Sequence, residues 1–93
     1  MKDKVLLEVQ LPATGIEYEF RVPYDLTVDQ ASGLIANVLA RREPVRFEAP
    51  AGGSDLMLRG NVEGAGNTLN PNETIRALVE QGVLVDGSLV SLV

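Results

Sequence analysis

The sequence predicts an α+β domain in which a mixed β-sheet packs on one main helix, with a short second helix before the last strand. Three features carry that expectation. Two early runs, "KVLLEVQL" and "IEYEFRV", alternate apolar and polar residues with the period of half-buried strands. The period then changes to that of an amphipathic helix over residues 31–39. The chain closes on "DGSLVSLV", a turn that runs straight into a strand.

The first run puts Val5, Leu7, Val9 and Leu11 on one face and Leu6, Glu8 and Gln10 on the other. "PATG" follows, where Pro12 restricts the backbone and Gly15 permits a turn. The second run puts Ile16, Tyr18, Phe20 and Val22 opposite Glu17, Glu19 and Arg21, so the pair forms an amphipathic hairpin. In the helix, Ala31, Leu34, Ile35, Val38 and Leu39 form the expected buried stripe. Thr27 is a suitable N-cap, and Gln30 completes a capping box. Arg41 and Arg42 suit the negative C-terminal end, and Pro44 stops the helix. Gly33 costs about 1 kcal/mol relative to Ala. The fold either tolerates it or uses it for close approach to the sheet.

"VRFEA" and "DLMLRG" are strand candidates separated by the loop "PAGGS". "GNVEGAGN" is expected to be irregular. Its glycines match neither G-x-G-x-x-G after a strand nor a phosphate loop with its lysine, so no nucleotide site is expected there. In "NPNETIRALVEQG", Asn70 reads as the N-cap, Pro71 as the first helical residue, Glu73 as the closing member of a capping box and Gly82 as the stop. Ile75, Leu78 and Val79 form its apolar stripe. "NET" fits the glycosylation pattern, but no secretory signal gives it meaning. Ser88 to Val93 is the last strand, launched from an Asp86–Gly87 turn.

At 93 residues the chain is a single domain spanning 1–93. A chain of this size buries roughly 60–70% of its unfolded surface, enough for one modest core. With 45% hydrophobic residues but only Tyr18, Phe20, Tyr24 and Phe47 as aromatics, that core is aliphatic. The absence of cysteine and histidine removes disulfides, thiol catalysis, Cys/His zinc sites and imidazole chemistry. A net charge of −5 disfavours nucleic acid and anionic lipid as partners. Arg41, Arg42, Arg46 and Arg59 cluster in the middle third, where helix-dipole complementation and solvated strand faces account for them better than a dedicated acidic-partner site. No run approaches the roughly 18 apolar residues of a spanning helix, so no membrane insertion is expected and the placement is cytoplasmic. Glu17 and Glu19 share a strand face without a nucleophile or base beside them, and no D-x-[DN]-x-[DN]-G loop is present. No catalytic residue, metal ligand or cofactor is expected, and the chain reads as a non-enzyme.

The order of elements, the hairpin "TGIEYEFRV", the lead-in "DLTVDQASGLI" and the ending "LNPNETIRALVEQGVLVDGSLVSLV" resemble the β-grasp fold in its ubiquitin-like form, across nearly the whole chain. "RGNVEGAGN" and the second helix are both longer than that pattern has them. The resemblance implies that the last strand lies beside the first, parallel to it, at the centre of the sheet. It implies also that Val93 belongs to that strand, whereas ubiquitin and the sulfur carriers extend into a mobile Gly-Gly carboxylate that is joined to targets. Conjugation and sulfur carriage are therefore not expected, and Lys2 and Lys4 are the sole lysines for chain building. Size, acid balance and the "GVLVDGSLVSL" close are similar to the YukD/EsaB family, small cytoplasmic proteins associated with bacterial type VII secretion, and to the related ubiquitin-like domain of the secretion channel.

The function this implies is a non-conjugating protein-interaction module, an accessory or regulatory component of a type VII secretion system with a protein partner from that system. If Val90 and Leu92 face the core, Leu89, Ser91 and Val93 face outward, as does Leu6 on the neighbouring strand. Leu6, Leu89 and Val93 are the candidate partner-binding residues, with Arg46 and Arg59 as a charged rim that acts on association rate and specificity. A register shift of one residue would turn this patch into core. One alternative is a structural or oligomer-forming β-grasp domain of another complex, paired through the edges of "IEYEFRV" or "DLMLRG". Another is a sulfur-carrier or modifier relative that has lost its tail. The sequence leaves the oligomeric state open.

Overall fold

The computed structural model describes residues 3–12, 14–42 and 55–93. "VRFEA", "PAGGS", Lys2, Pro44 and Arg46 lie outside the described residues. The elements run β1 (Lys4–Gln10), β2 (Glu17–Pro23), α1 (Val28–Arg42), β3 (Leu56–Leu58), α2 (Ile75–Glu80) and β4 (Ser88–Leu92). The sheet order is β2-β1-β4-β3. β1 pairs with β2 antiparallel and with β4 parallel, and β3 pairs with β4 antiparallel. The last strand therefore lies inside the sheet beside the first. Val93 continues its ladder, exchanging two backbone hydrogen bonds with Asp55 at 2.9 Å each.

One sheet face forms the core. Val5, Leu7, Val9 and Leu11 are buried there with Val22, Leu56, Leu58, Val90 and Leu92. Each fully buried aliphatic side chain contributes about 1.5–3 kcal/mol relative to exposure, and this alternation fixes the register of every strand. Tyr18 and Phe20 at the β2 margin are only partly buried against the core.

α1 covers that face on a stripe rotated from the expected one. Its buried residues are Val28, Ala31, Ser32, Ile35, Ala36 and Leu39, while Leu34 is 50% exposed and Val38 half-buried. Ser32 explains the rotation. Its hydroxyl donates to the Asp29 carbonyl at 2.9 Å, so a small polar residue sits inside without an unmet hydrogen bond. The capping box forms as expected: Thr27 N–H donates to Gln30 Oε1 at 2.9 Å, and Gln30 N–H to Thr27 Oγ1 at 3.1 Å. A Cβ on Gly33 would meet nothing within 4 Å, so this glycine serves no close helix–sheet approach.

α2 is six residues long and begins later than the punctuation suggests. Its N-cap is Thr74, whose Oγ1 accepts from Ala77 N–H at 3.1 Å. Asn70 instead organises a turn, with Oδ1 accepting from Asn72 N–H and its carbonyl from Glu73 N–H. Residues 71–73 stay out of the helix because their carbonyls are needed elsewhere. Val28 N–H donates to the Glu73 carbonyl and Asp29 N–H to the Pro71 carbonyl, at 2.9 and 3.1 Å. In return, Ile75 N–H reaches the Leu26 carbonyl at 2.8 Å and Arg76 N–H the Tyr24 carbonyl at 3.0 Å. The two helix starts thus satisfy each other's orphan donors. Arg76 adds an ion pair to Asp25 at 2.8 Å and stands 5.4 Å over the Tyr24 ring. The helix ends in a Schellman motif: Gly82, at φ +77°, lets its own N–H reach the Val79 carbonyl and that of Val83 the Leu78 carbonyl.

Two stability measurements check these assignments. Gly33→Ala raises stability by about 0.5–1 kcal/mol in urea unfolding, because the added methyl group meets open space. Thr74→Ala costs about 1 kcal/mol, and Asn70→Ala costs less than Thr74→Ala, since only Thr74 caps the helix. The reverse ranking would return the helix start to Asn70.

Candidate functional site

The face of the sheet away from α1 is built in rows. Leu6 of β1 stands between Arg21 of β2 and Gly87. In the next row Glu19, Glu8 and Leu89 are direct neighbours, and Arg59 follows through its N–H bond to the Leu89 carbonyl at 2.9 Å. Glu17, Gln10, Ser91 and Met57 make the third row. Val93 and Asp55 make the fourth.

Leu6 and Leu89 are therefore diagonal neighbours, both half-buried, with Arg59 beside Leu89. Their positions are held by the turn before β4. Leu6 N–H donates to Asp86 Oδ1 at 3.0 Å, and Gly87 N–H donates to the Leu6 carbonyl at 2.8 Å. Gly87 adopts φ +90°, a conformation that suits glycine and sets this approach. Val93 is 45% exposed but lies four residues beyond Leu89, ~13 Å along the strand. Ser91 comes between them and is buried, contrary to a simple reading of its outward position. Its neighbours across the ladder are Gln10 and Met57, and its Oγ has no hydrogen-bond partner among the described residues.

Two residues absent from the sequence reading extend the Leu6–Leu89 pair. Val62 is 56% exposed and Val85 59% exposed, and with Leu89 and Arg59 they line a cleft of about 170 Å³. Val85 is held outward by a tight turn, its N–H donating to Ser88 Oγ at 2.9 Å and its carbonyl accepting from Ser88 N–H at 3.0 Å. A larger cleft of about 430 Å³ continues from it between the 60–67 loop and the α2–β4 connection; both clefts touch Leu58, Glu63, Gly82 and Val83. Val62, alone among the polar and small residues of "GNVEGAGN", and Val85, the third apolar residue of "VLV" ahead of a turn, were the available signals.

The polar groups around this strip differ by side. On the β1/β2 side, Glu8 and Glu19 face each other directly, with Glu17 in the next row, and none of the three has an ion-pair partner among the described residues. Arg59 occupies the opposite side. Among the described residues no group of three or more acidic side chains could hold a metal ion, and no helix is long and apolar enough to cross a membrane.

No family model and no curated protein matches the chain. Solved structures do. The EccD5 ubiquitin-like domain from Mycobacterium xenopi superposes with a TM-score of 0.67 at 20% identity, over 99% of this chain and 94% of that one. The fold is ubiquitin-like. A ubiquitin from Caldiarchaeum subterraneum gives 0.56 at 18% identity, over 96% and 90% of the two chains. The ubiquitin-like domain of yeast Ddi1 gives 0.53 at 17%, over 99% and 90%. In this ubiquitin-like fold the α1 side of the sheet is committed to the core, and the half-buried Leu6 and Leu89 lie on its other side.

Ser91 offers a direct check on how that surface is packed. A buried hydroxyl without a partner costs about 1–3 kcal/mol. Ser91→Ala is therefore expected to stabilise the domain by about 1 kcal/mol in thermal or urea unfolding, and a destabilisation would show that the Oγ is hydrogen-bonded after all.

Proposed function

We propose that the chain is a non-covalent protein-interaction module of the cytoplasm, serving as an accessory or regulatory component of a bacterial type VII secretion system. Its partner docks on Leu6 and Leu89, extended by Val62 and Val85, with Arg59 at the rim. Arg46 remains a rim residue on the sequence argument alone, and Val93 a separate contact at the far end of β4.

The observation that carries this reading is the apolar strip itself. Leu6 is a diagonal neighbour of Leu89 on the sheet face away from α1, and Leu89 lines one cleft with Val62 and Val85, each more than half exposed. Contiguous exposed apolar surface rimmed by charge is what association buries. The rim favours a partner with basic residues toward Glu8 and Glu19 and an acidic one toward Arg59, which acts mostly on encounter rate and register. The secretion assignment is supported by the resemblance to the YukD/EsaB family and agrees with the likeness of the fold to the EccD5 domain.

The joint change Leu6→Asp and Leu89→Asp tests the site. Because both residues are half-buried, the thermal midpoint is expected to fall by no more than a few degrees, while recovery of secretion-system proteins in a pull-down from the native cytoplasm is lost. A collapse of the midpoint would show the two leucines to be core. Retained capture at an unchanged midpoint would move the site elsewhere. Adjacent genes for a secretion ATPase and small helical substrates bear separately on the pathway.

A further inference from the structure

We infer that β2 is a self-association edge, and that two copies of this chain pair antiparallel through it about a two-fold axis at Phe20. This contact does not involve the Leu6–Leu89 strip, although it shares Glu19 with that strip's acidic rim.

The two margins of the sheet are not equivalent. The outer side of β3 is already occupied: Leu58 N–H donates to the Asn67 carbonyl, and Leu69 N–H to the Leu56 carbonyl, at 3.0 and 2.8 Å. The outer side of β2 has no such cover among the described residues. Which of its groups point outward follows from the register. Leu11 N–H bonds the Ile16 carbonyl and Tyr24 N–H the Asp3 carbonyl, so the even-numbered residues from 16 to 24 turn their backbone groups toward β1. Glu17, Glu19, Arg21 and Pro23 therefore turn theirs to the outside. Proline, which has no N–H to offer, sits at one end of that row.

The side chains select a partner and a register. Symmetric antiparallel pairing can centre on Tyr18, Glu19, Phe20 or Arg21. Centring on Tyr18 sets Glu17 against Glu19, centring on Glu19 sets that residue against its own copy, and centring on Arg21 does the same for the arginine. Like charges directly opposite are destabilising. Of these four, Phe20 alone avoids them all, and it pairs the whole of β2, whereas centring on Val22 would overlap residues 21–23 alone. The Phe20 register places Glu19 of each copy against Arg21 of the other, and Glu17 N–H against the Pro23 carbonyl. Glu19 and Arg21 are exposed and without ion-pair partners among the described residues, so both are available. On the core side, the same register puts Phe20 beside its copy and Tyr18 beside Val22. Phe20 is half-buried at the margin of the single chain, and closely spaced aromatic cross-strand pairs are favourable.

Sedimentation equilibrium of the purified chain tests this. The unaltered protein is expected to move toward the mass of two chains as its concentration rises. Glu19→Arg alone and Arg21→Glu alone each weaken association about tenfold or more, because each turns two attractive cross-strand contacts into repulsive ones. An equal mixture of the two variants restores it, since every reversed side chain then meets one of opposite sign. The Leu6→Asp, Leu89→Asp double variant still dimerises. The inference is overturned if the unaltered chain keeps the mass of one copy throughout, if the mixture associates no better than either variant, or if the double variant abolishes the dimer and so moves self-contact to the open face.

Discussion

The pairing of β1 with β4 is the constraint on which the other elements depend. It joins the two ends of the chain, and Val9 lies directly beside Val90 within it, both without solvent exposure. β3 is three residues long and is held on its inner side only by β4. Closing a loop of this length carries an entropic cost that grows only slowly with length, so burial along two interior strands can offset it. Polar bonds fasten both ends of the pairing: Asp86 and Gly87 bind Leu6 at the start of β4, and Asp55 binds Val93 at its finish.

Much of the architecture is legible in the sequence, because one-sided burial leaves a simple trace. Val5, Leu7, Val9 and Leu11 could only alternate as they do in a strand with one dry face, and the same logic assigns Val90 and Leu92. The errors come where a local pattern is overruled from a distance. Asn70, Pro71 and Glu73 have the chemistry of a helix start, yet two of the carbonyls they bracket are bonded by α1, and the helix waits until Thr74. Ser32 looks like a surface residue, and its hydroxyl bond to Asp29 allows it inside, which moves the buried stripe away from Leu34.

The candidate site divides along the same line. Leu6 and Leu89 belong to strands, so their outward position follows from period. Val62 and Val85 belong to loops, where no period exists and exposure depends on turns such as the one Ser88 closes over Val85. The separation of Leu89 from Val93 is likewise a matter of distance along the strand rather than of which face each occupies. A face can be read from alternation, whereas the extent of a patch on it needs the third dimension. The outward sheet face and the outer margin of β2 are consequently different kinds of feature. One presents side chains, and the other presents backbone.

The exchanged bonds at the two helix starts make those segments a single cooperative unit. A six-residue helix has no independent stability in water, since its nucleation cost exceeds what so few bonds return. α2 exists because residues 24–26 supply acceptors to its first turn, while residues 71 and 73 supply acceptors to α1. Fraying at either start would strand donors in the other, so their amides open to hydrogen exchange together and with one protection factor. Stretches lying 47 residues apart thereby behave in solution as one folding element, because each helix start is bonded to the residues just ahead of the other.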